Sequence, residues 1–170
     1  ALPFDADQYL VDRFPLHYLD SATLARFTHQ KDKVRRSGRD AKVFAVANPK
    51  REEAAFPPLP FAGKEADVIP RYFPSTVTAE GADATELLVR DAVGKYDILH
   101  IAAHGEFLPN APAKSRLLLA AGGGADGDLA VTGIVGLPLK ADMVTLSACE
   151  TGLGRLSPGD EIVGMNRAFF

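Results

Sequence analysis

The chain has 170 residues, 46% of them hydrophobic and 24% charged, the proportions of a soluble globular domain with one core. Its formal net charge of −3 and pI near 5.8 exclude an overall basic field for phosphate backbones, and its single cysteine excludes an internal disulfide. There is no apolar run of about 18 residues and no signal-peptide pattern, which argues against a membrane span and secretion and for a cytoplasmic protein.

The opening thirty residues mix short apolar clusters with helix-start signals at Asp20 and Ser21. His17 and His29 have no motif around them. KDKVRRSGR (31–39) is the densest basic stretch, but it is short and accompanied by Asp32 and Asp40. It reads as a solvated linker, so neither nucleic acid nor membrane is expected as a partner. Residues 1–40 thus form a lead-in, and 41–170 the core. A start at Ala1, without an initiator methionine, is expected of a piece of a longer protein.

From Ala41 the text becomes regular. AKVFAVANP is a buried strand stopped by Asn48 and Pro49, and REEAAFPPLP is a proline-rich loop. FAGKEADVIPRYF predicts a short helix. DATELLVRDAVG predicts another, with Asp83 as its cap, Glu86 three residues on as in a capping box, and Gly94 closing it. YDILHIAAHG and DMVTLSAC are two further buried strands. SRLLLAAGGGADGDLAVTG between them predicts a hairpin with a glycine-rich tip, Thr132 opening a brief helix.

Apolar strands alternating with amphipathic helices imply an α/β fold with a mostly parallel sheet covered on both faces. Ligands in such sheets bind outside the carboxyl ends of the strands. That rim should carry His104 and Gly105, ending one strand, and Cys149, ending another. An ordinary thiol is only a few per cent thiolate at neutral pH, so a nucleophilic cysteine needs an imidazole to take its proton and return it to the leaving amine. His104 has that role open to it. The backbone amides of Gly105 and Cys149 are the candidate oxyanion donors. His100 shares a face with His104, but four residues along a strand span about 13 Å, too far to chelate one metal. It reads as a core or supporting histidine, and neither metal nor cofactor is expected.

HIAAHGEF followed by SRLLLA, then GDLAVTGIVGLPLKADMVTLSACETGLG and GDEIVGMNRAFF, resembles the CHAT family of caspase-like proteins, in the wider group of caspases, metacaspases, separase and gingipains. The opening LPFDADQYLVDRFPLHYLDSATL and the VANP strand end are similar to that family's upstream part, so the resemblance covers essentially the whole chain. It implies a caspase-like three-layer sandwich and a bacterial cysteine peptidase with His104 and Cys149 as catalytic dyad, the spacing between them being near that of the caspase signature. It also implies a protein or peptide substrate, and tetratricopeptide repeats elsewhere in the full-length protein as partners. Ser147 and Ser115 become candidates for lining the substrate pocket.

Two departures from the family pattern stand out. Relatives that cut after lysine or arginine carry an acidic residue two positions before the nucleophile, and caspases a glutamine, where this chain has Ser147. A caspase-type sheet also continues for two more strands beyond an amphipathic helix of the kind marked here by Ile162, Met165 and Phe169. On that comparison the C-terminal strands are absent from the chain, and an open sheet edge is expected to favour self-association. Two rival readings accompany the peptidase. One is a caspase-fold interaction module without catalysis. The other is a cysteine phosphatase, since CETGLGR is also Cys-x5-Arg, although Glu150 puts a negative charge beside the thiol and LSPGD interrupts the helix that should follow Arg155.

Overall fold

A computed structural model of the chain describes residues 3–5, 8–14, 38–108, 110–148 and 169. Asp20, Ser21, His17, His29, most of the 31–39 linker, Cys149 and the segment through Arg155 to Met165 lie outside the described residues. The chain divides into two compact units, Ala1–Val34 and Arg35–Phe170. In the first, β1 (Pro3–Asp5) pairs antiparallel with β2 (Gln8–Tyr9), which runs directly into a short helix α1 (Leu10–Arg13). The Tyr9 amide donates to the Asp12 carboxylate at 2.8 Å.

The second unit is built on a four-stranded parallel sheet. β3 (Val43–Pro49) pairs with β4 (Thr76–Gly81) on one side and β5 (Ile98–Ala102) on the other, and β5 pairs with β9 (Met143–Leu146). Parallel neighbours need long crossovers, and these carry α2 (Pro60–Tyr72) and α3 (Glu86–Ala92). The two faces of the sheet have different sizes of side chain. Ala45, Ala47 and Ala102 meet Ala62 and Ala66 of α2, small residues that let the helix lie close to the sheet. On the other face Phe44, Val46, Leu99 and Ile101 pack with Val89 and Ala92 of α3 and with Leu117, Leu129 and Ile134. Leu99, Ile101, Leu117 and Leu129 are each at most 1% exposed, and burial of such a side chain contributes about 1.5–3 kcal/mol. Helix, sheet, then helix and hairpin make a three-layer α/β sandwich. Phe169, the described residue of the expected C-terminal amphipathic stretch, packs against the larger cluster.

Several elements differ from the sequence reading. The sequence reading assigns no element between the two helices, where the structure has β4. It is an edge strand on which only Ala79 is buried, so TVTAEG lacks the apolar run that marks the central strands. The cap of α3 is Thr85, whose hydroxyl accepts from the Leu88 amide at 3.3 Å, not Asp83. Glu86 therefore begins the helix and pairs with Arg90 one turn on at 2.7 Å. The strand expected to run through His104 ends at Ala102. After a bend at Ala103 the chain enters a second, antiparallel sheet of β6 (His104–Glu106), β7 (Arg116–Leu118) and β8 (Asp128–Ala130). β7 and β8 form the expected hairpin. At its tip Gly127 has φ +85° and no room for a Cβ against the Leu119 carbonyl and Ala120. The brief helix that follows, α4 (Val131–Val135), opens one residue before Thr132 and has no side-chain cap.

Candidate functional site

The carboxyl ends of β3, β5 and β9 converge on one rim. Asn48, the next-to-last residue of β3, adopts φ 47°, a conformation that asparagine tolerates better than most residues. Its side-chain oxygen accepts from the Leu59 amide at 2.6 Å, which draws the 50–59 loop across the rim and sets the start of α2 at Pro60.

That loop meets the histidine. His104 is 5% exposed, with its ring 5.7 Å from that of Phe56 at an interplanar angle of 49°. Its Nε2 lies 2.7 Å from the Pro57 carbonyl oxygen. A carbonyl can only accept, so Nε2 carries the hydrogen, and in the neutral ring Nδ1 is the nitrogen with the free lone pair. The next residue, Gly105, sits against the other strand end: a Cβ placed there would be 3.6 Å from the Ala148 Cβ. The Ser147 amide donates to the Ile101 carbonyl at 2.8 Å, extending the β5 to β9 ladder to the residue two before Cys149. Cys149 itself lies outside the described residues, as does its candidate oxyanion amide.

A polar group stands on the α2 side of this rim. The Ser147 hydroxyl donates to Glu65 Oε2 at 3.0 Å, and Glu65 Oε1 is 3.7 Å from His100 Nε2. His100 is buried, and its Nε2 has no hydrogen-bond partner among the described residues. Burial holds its pKa below the ordinary histidine value, an effect partly opposed by the Glu65 charge. Ser115 is 1% exposed, and its hydroxyl accepts from the Leu108 amide at 3.0 Å. Its carbonyl takes the Val131 amide at 2.8 Å, so Ser115 ties the loop after β6 to the end of the hairpin. A second fastening comes from Arg51, which donates to the Leu119 carbonyl at 2.9 Å and pairs with Asp128 at 3.1 Å. Arg116 bridges the same Asp128 and Glu106, the latter at 2.6 Å.

Pro57, Phe56 and Glu65 were not singled out from the sequence. Pro57 acts through a backbone carbonyl that any residue supplies. Glu65 is one of several charged residues on a helix, and only the fold brings it beside Ser147. The family model for the CHAT domain matches residues 1–170. No curated protein matches the chain.

Proposed function

The chain belongs to the CHAT domain family, whose fold is caspase-like and whose members are protease-related, and from that premise we propose that it is a cysteine endopeptidase acting through Cys149 and His104. Nδ1 of His104 takes the Cys149 proton. The thiolate attacks the scissile carbonyl carbon, a C–S bond forms, and the carbonyl electrons move onto oxygen, which accepts from the amides of Gly105 and Cys149. Collapse breaks the C–N bond, and the imidazolium gives its proton to the departing amine. Water then attacks the thioester carbonyl carbon as His104 takes its proton, the C–S bond breaks to release the carboxylic acid, and the imidazolium returns the proton to the thiolate.

The observation that carries the reading is the bond from His104 Nε2 to the Pro57 carbonyl. It fixes the tautomer with Nδ1 free, and it persists when the ring is protonated, because Nε2–H donates in both states. It therefore orients the base and stabilises the imidazolium without itself transferring a proton. The contact between Gly105 and Ala148 supports the pairing. Cys149 is bonded to Ala148, so its Cα is one peptide, about 3.8 Å, from a residue that lies against the histidine loop.

The test is hydrolysis of a peptide library by the chain, with Cys149→Ala and His104→Ala beside it. We expect cleavage that falls at least about a hundredfold in each variant. Cleavage unchanged in Cys149→Ala would exclude this nucleophile.

A further inference from the structure

Arg51 stands between the two parts of the chain that meet at His104. Its guanidinium, buried with the rest of the side chain, holds the Glu53 carboxylate in a fork, Nε donating to Oε2 at 3.0 Å and Nη2 to Oε1 at 2.5 Å. Nη1 donates to the Leu119 carbonyl at 2.9 Å and to the Asp126 carbonyl at 3.3 Å, and Nη2 pairs with Asp128 Oδ1 at 3.1 Å.

These contacts close a circuit that begins and ends at the histidine. In the antiparallel sheet His104 is paired with Leu118, and Leu118 with Asp128, so Arg51 grips the cross-strand row of His104 at Asp128 and, one residue along β7, at Leu119. From there Arg51 leads back into the 50–59 loop. The Glu53 carbonyl accepts from the Phe56 amide at 3.0 Å, Phe56 lies against the imidazole, and the Pro57 carbonyl takes the Nε2 hydrogen. Asp128 also receives Arg116, which bonds Glu106, two residues beyond His104 on β6. The loop that supplies the acceptor and the strand that supplies the imidazole are thus tied together through one guanidinium. A buried ion pair adds little to stability over apolar residues of the same shape, whereas the planar fork of an arginine fixes direction as well as distance. The bond it protects has little slack: a loop shift of about 1 Å would take Nε2 and the Pro57 oxygen beyond hydrogen-bond range, leaving the hydrogen free to sit on Nδ1.

On these grounds we propose that Arg51 is the positioning residue of His104: it holds the Pro57 carbonyl in line with Nε2, keeps the neutral imidazole in the tautomer with Nδ1 bare, and so makes the histidine a base. The last step rests on the peptidase reading above. The hold on the imidazole does not.

The experiment follows His104 by NMR of the isotopically labelled chain, in which long-range proton–nitrogen correlations show which ring nitrogen carries the hydrogen, and His104→Ala identifies the signals. The variants are Arg51→Met, which keeps the stem without the donors, Arg51→Lys, which keeps the charge without the fork, and Val89→Ala, which loosens the core at α3. kcat and KM on the best-cleaved library peptide accompany each. The unaltered chain and Val89→Ala should carry the hydrogen on Nε2 alone. Both Arg51 variants should show a second population with the hydrogen on Nδ1, and kcat should fall at least about tenfold with KM changed less than about twofold. If Arg51→Met does not fold, Arg51→Lys decides. Nε2–H kept as the sole form in the Arg51 variants, or lost equally in Val89→Ala, overturns the role of Arg51 and leaves the peptidase standing. A shifted tautomer with kcat unchanged overturns the link from that hold to catalysis. A shifted tautomer in a chain without hydrolysis that depends on Cys149 upholds the hold of Arg51 on the imidazole and overturns the peptidase reading.

Discussion

His104 Nε2 and the Pro57 carbonyl oxygen are 2.7 Å apart across 47 positions of sequence, which makes the loop before α2 part of the histidine's setting. Phe56, adjacent to Pro57, stacks at a tilt on the same ring. Phe56→Ala should therefore let the imidazole swing and slow alkylation of Cys149 about tenfold, since small losses of orientation are costly to a positioned base. Equal rates in Phe56→Ala and the unaltered chain would show that the loop does not hold the histidine.

His100 gives stability a dependence on pH. Its folded pKa is lowered, by burial first, below the 6.5 of a free histidine. Below that value the unfolded chain binds a proton that the folded chain resists. Its contribution is thus fully present above about pH 6.5 and is lost as pH falls through that value toward the folded pKa. Urea midpoints at pH 7.5 and 5.5 should differ less in His100→Asn than in the unaltered chain. An equal difference would assign the pH dependence to other groups.

Asn48 combines a positive φ with acceptance of the Leu59 amide. Asn48→Ala loses both the acceptor and the tolerance of that conformation, and should cost about 1–2 kcal/mol in urea unfolding. Asn48→Gly keeps the backbone freedom and should cost less. Equal losses in the two variants would mean that the side-chain hydrogen bond alone matters.

How far the sequence reveals this fold depends on burial. β3 and β5 are central and apolar on both faces, so VFAVA and ILHIA declare themselves. β4 is an edge strand with most side chains in solvent, and its polar text resembles loop. Local competition moved the α3 cap from Asp83 to Thr85, because Asp83 is already in a turn whose carbonyl takes the Thr85 amide at 2.8 Å. At the site, His104 and Gly105 were legible as a motif at a strand end. Glu65, Phe56 and Pro57 were not, because their roles come from an 82-position contact with Ser147 and a 47-position contact with His104, and neither leaves a local pattern.

Asp128 receives Arg51 and Arg116 together, and the Arg51 side chain is only 8% exposed. Asp128→Ala leaves that guanidinium short of one of its two carboxylate partners, Glu53 being the other. The expected loss is about 3 kcal/mol, the lower end for a broken buried pair, because Arg116 is 36% exposed. Thermal unfolding of Asp128→Ala beside Glu106→Ala checks this, with the larger drop expected in Asp128→Ala. A larger drop in Glu106→Ala would place the anchor at β6 instead.

The central claim is that His104 activates Cys149, and the rate at which a peptidyl chloromethyl ketone alkylates Cys149, followed by mass spectrometry of the intact chain at pH 7, tests it most directly. The account predicts labelling at Cys149 alone, slowed at least about tenfold in His104→Ala, since the thiolate is then no longer favoured by an adjacent imidazole. Equal labelling rates with and without His104, or labelling only after unfolding in urea, would contradict it and make Cys149 a structural thiol.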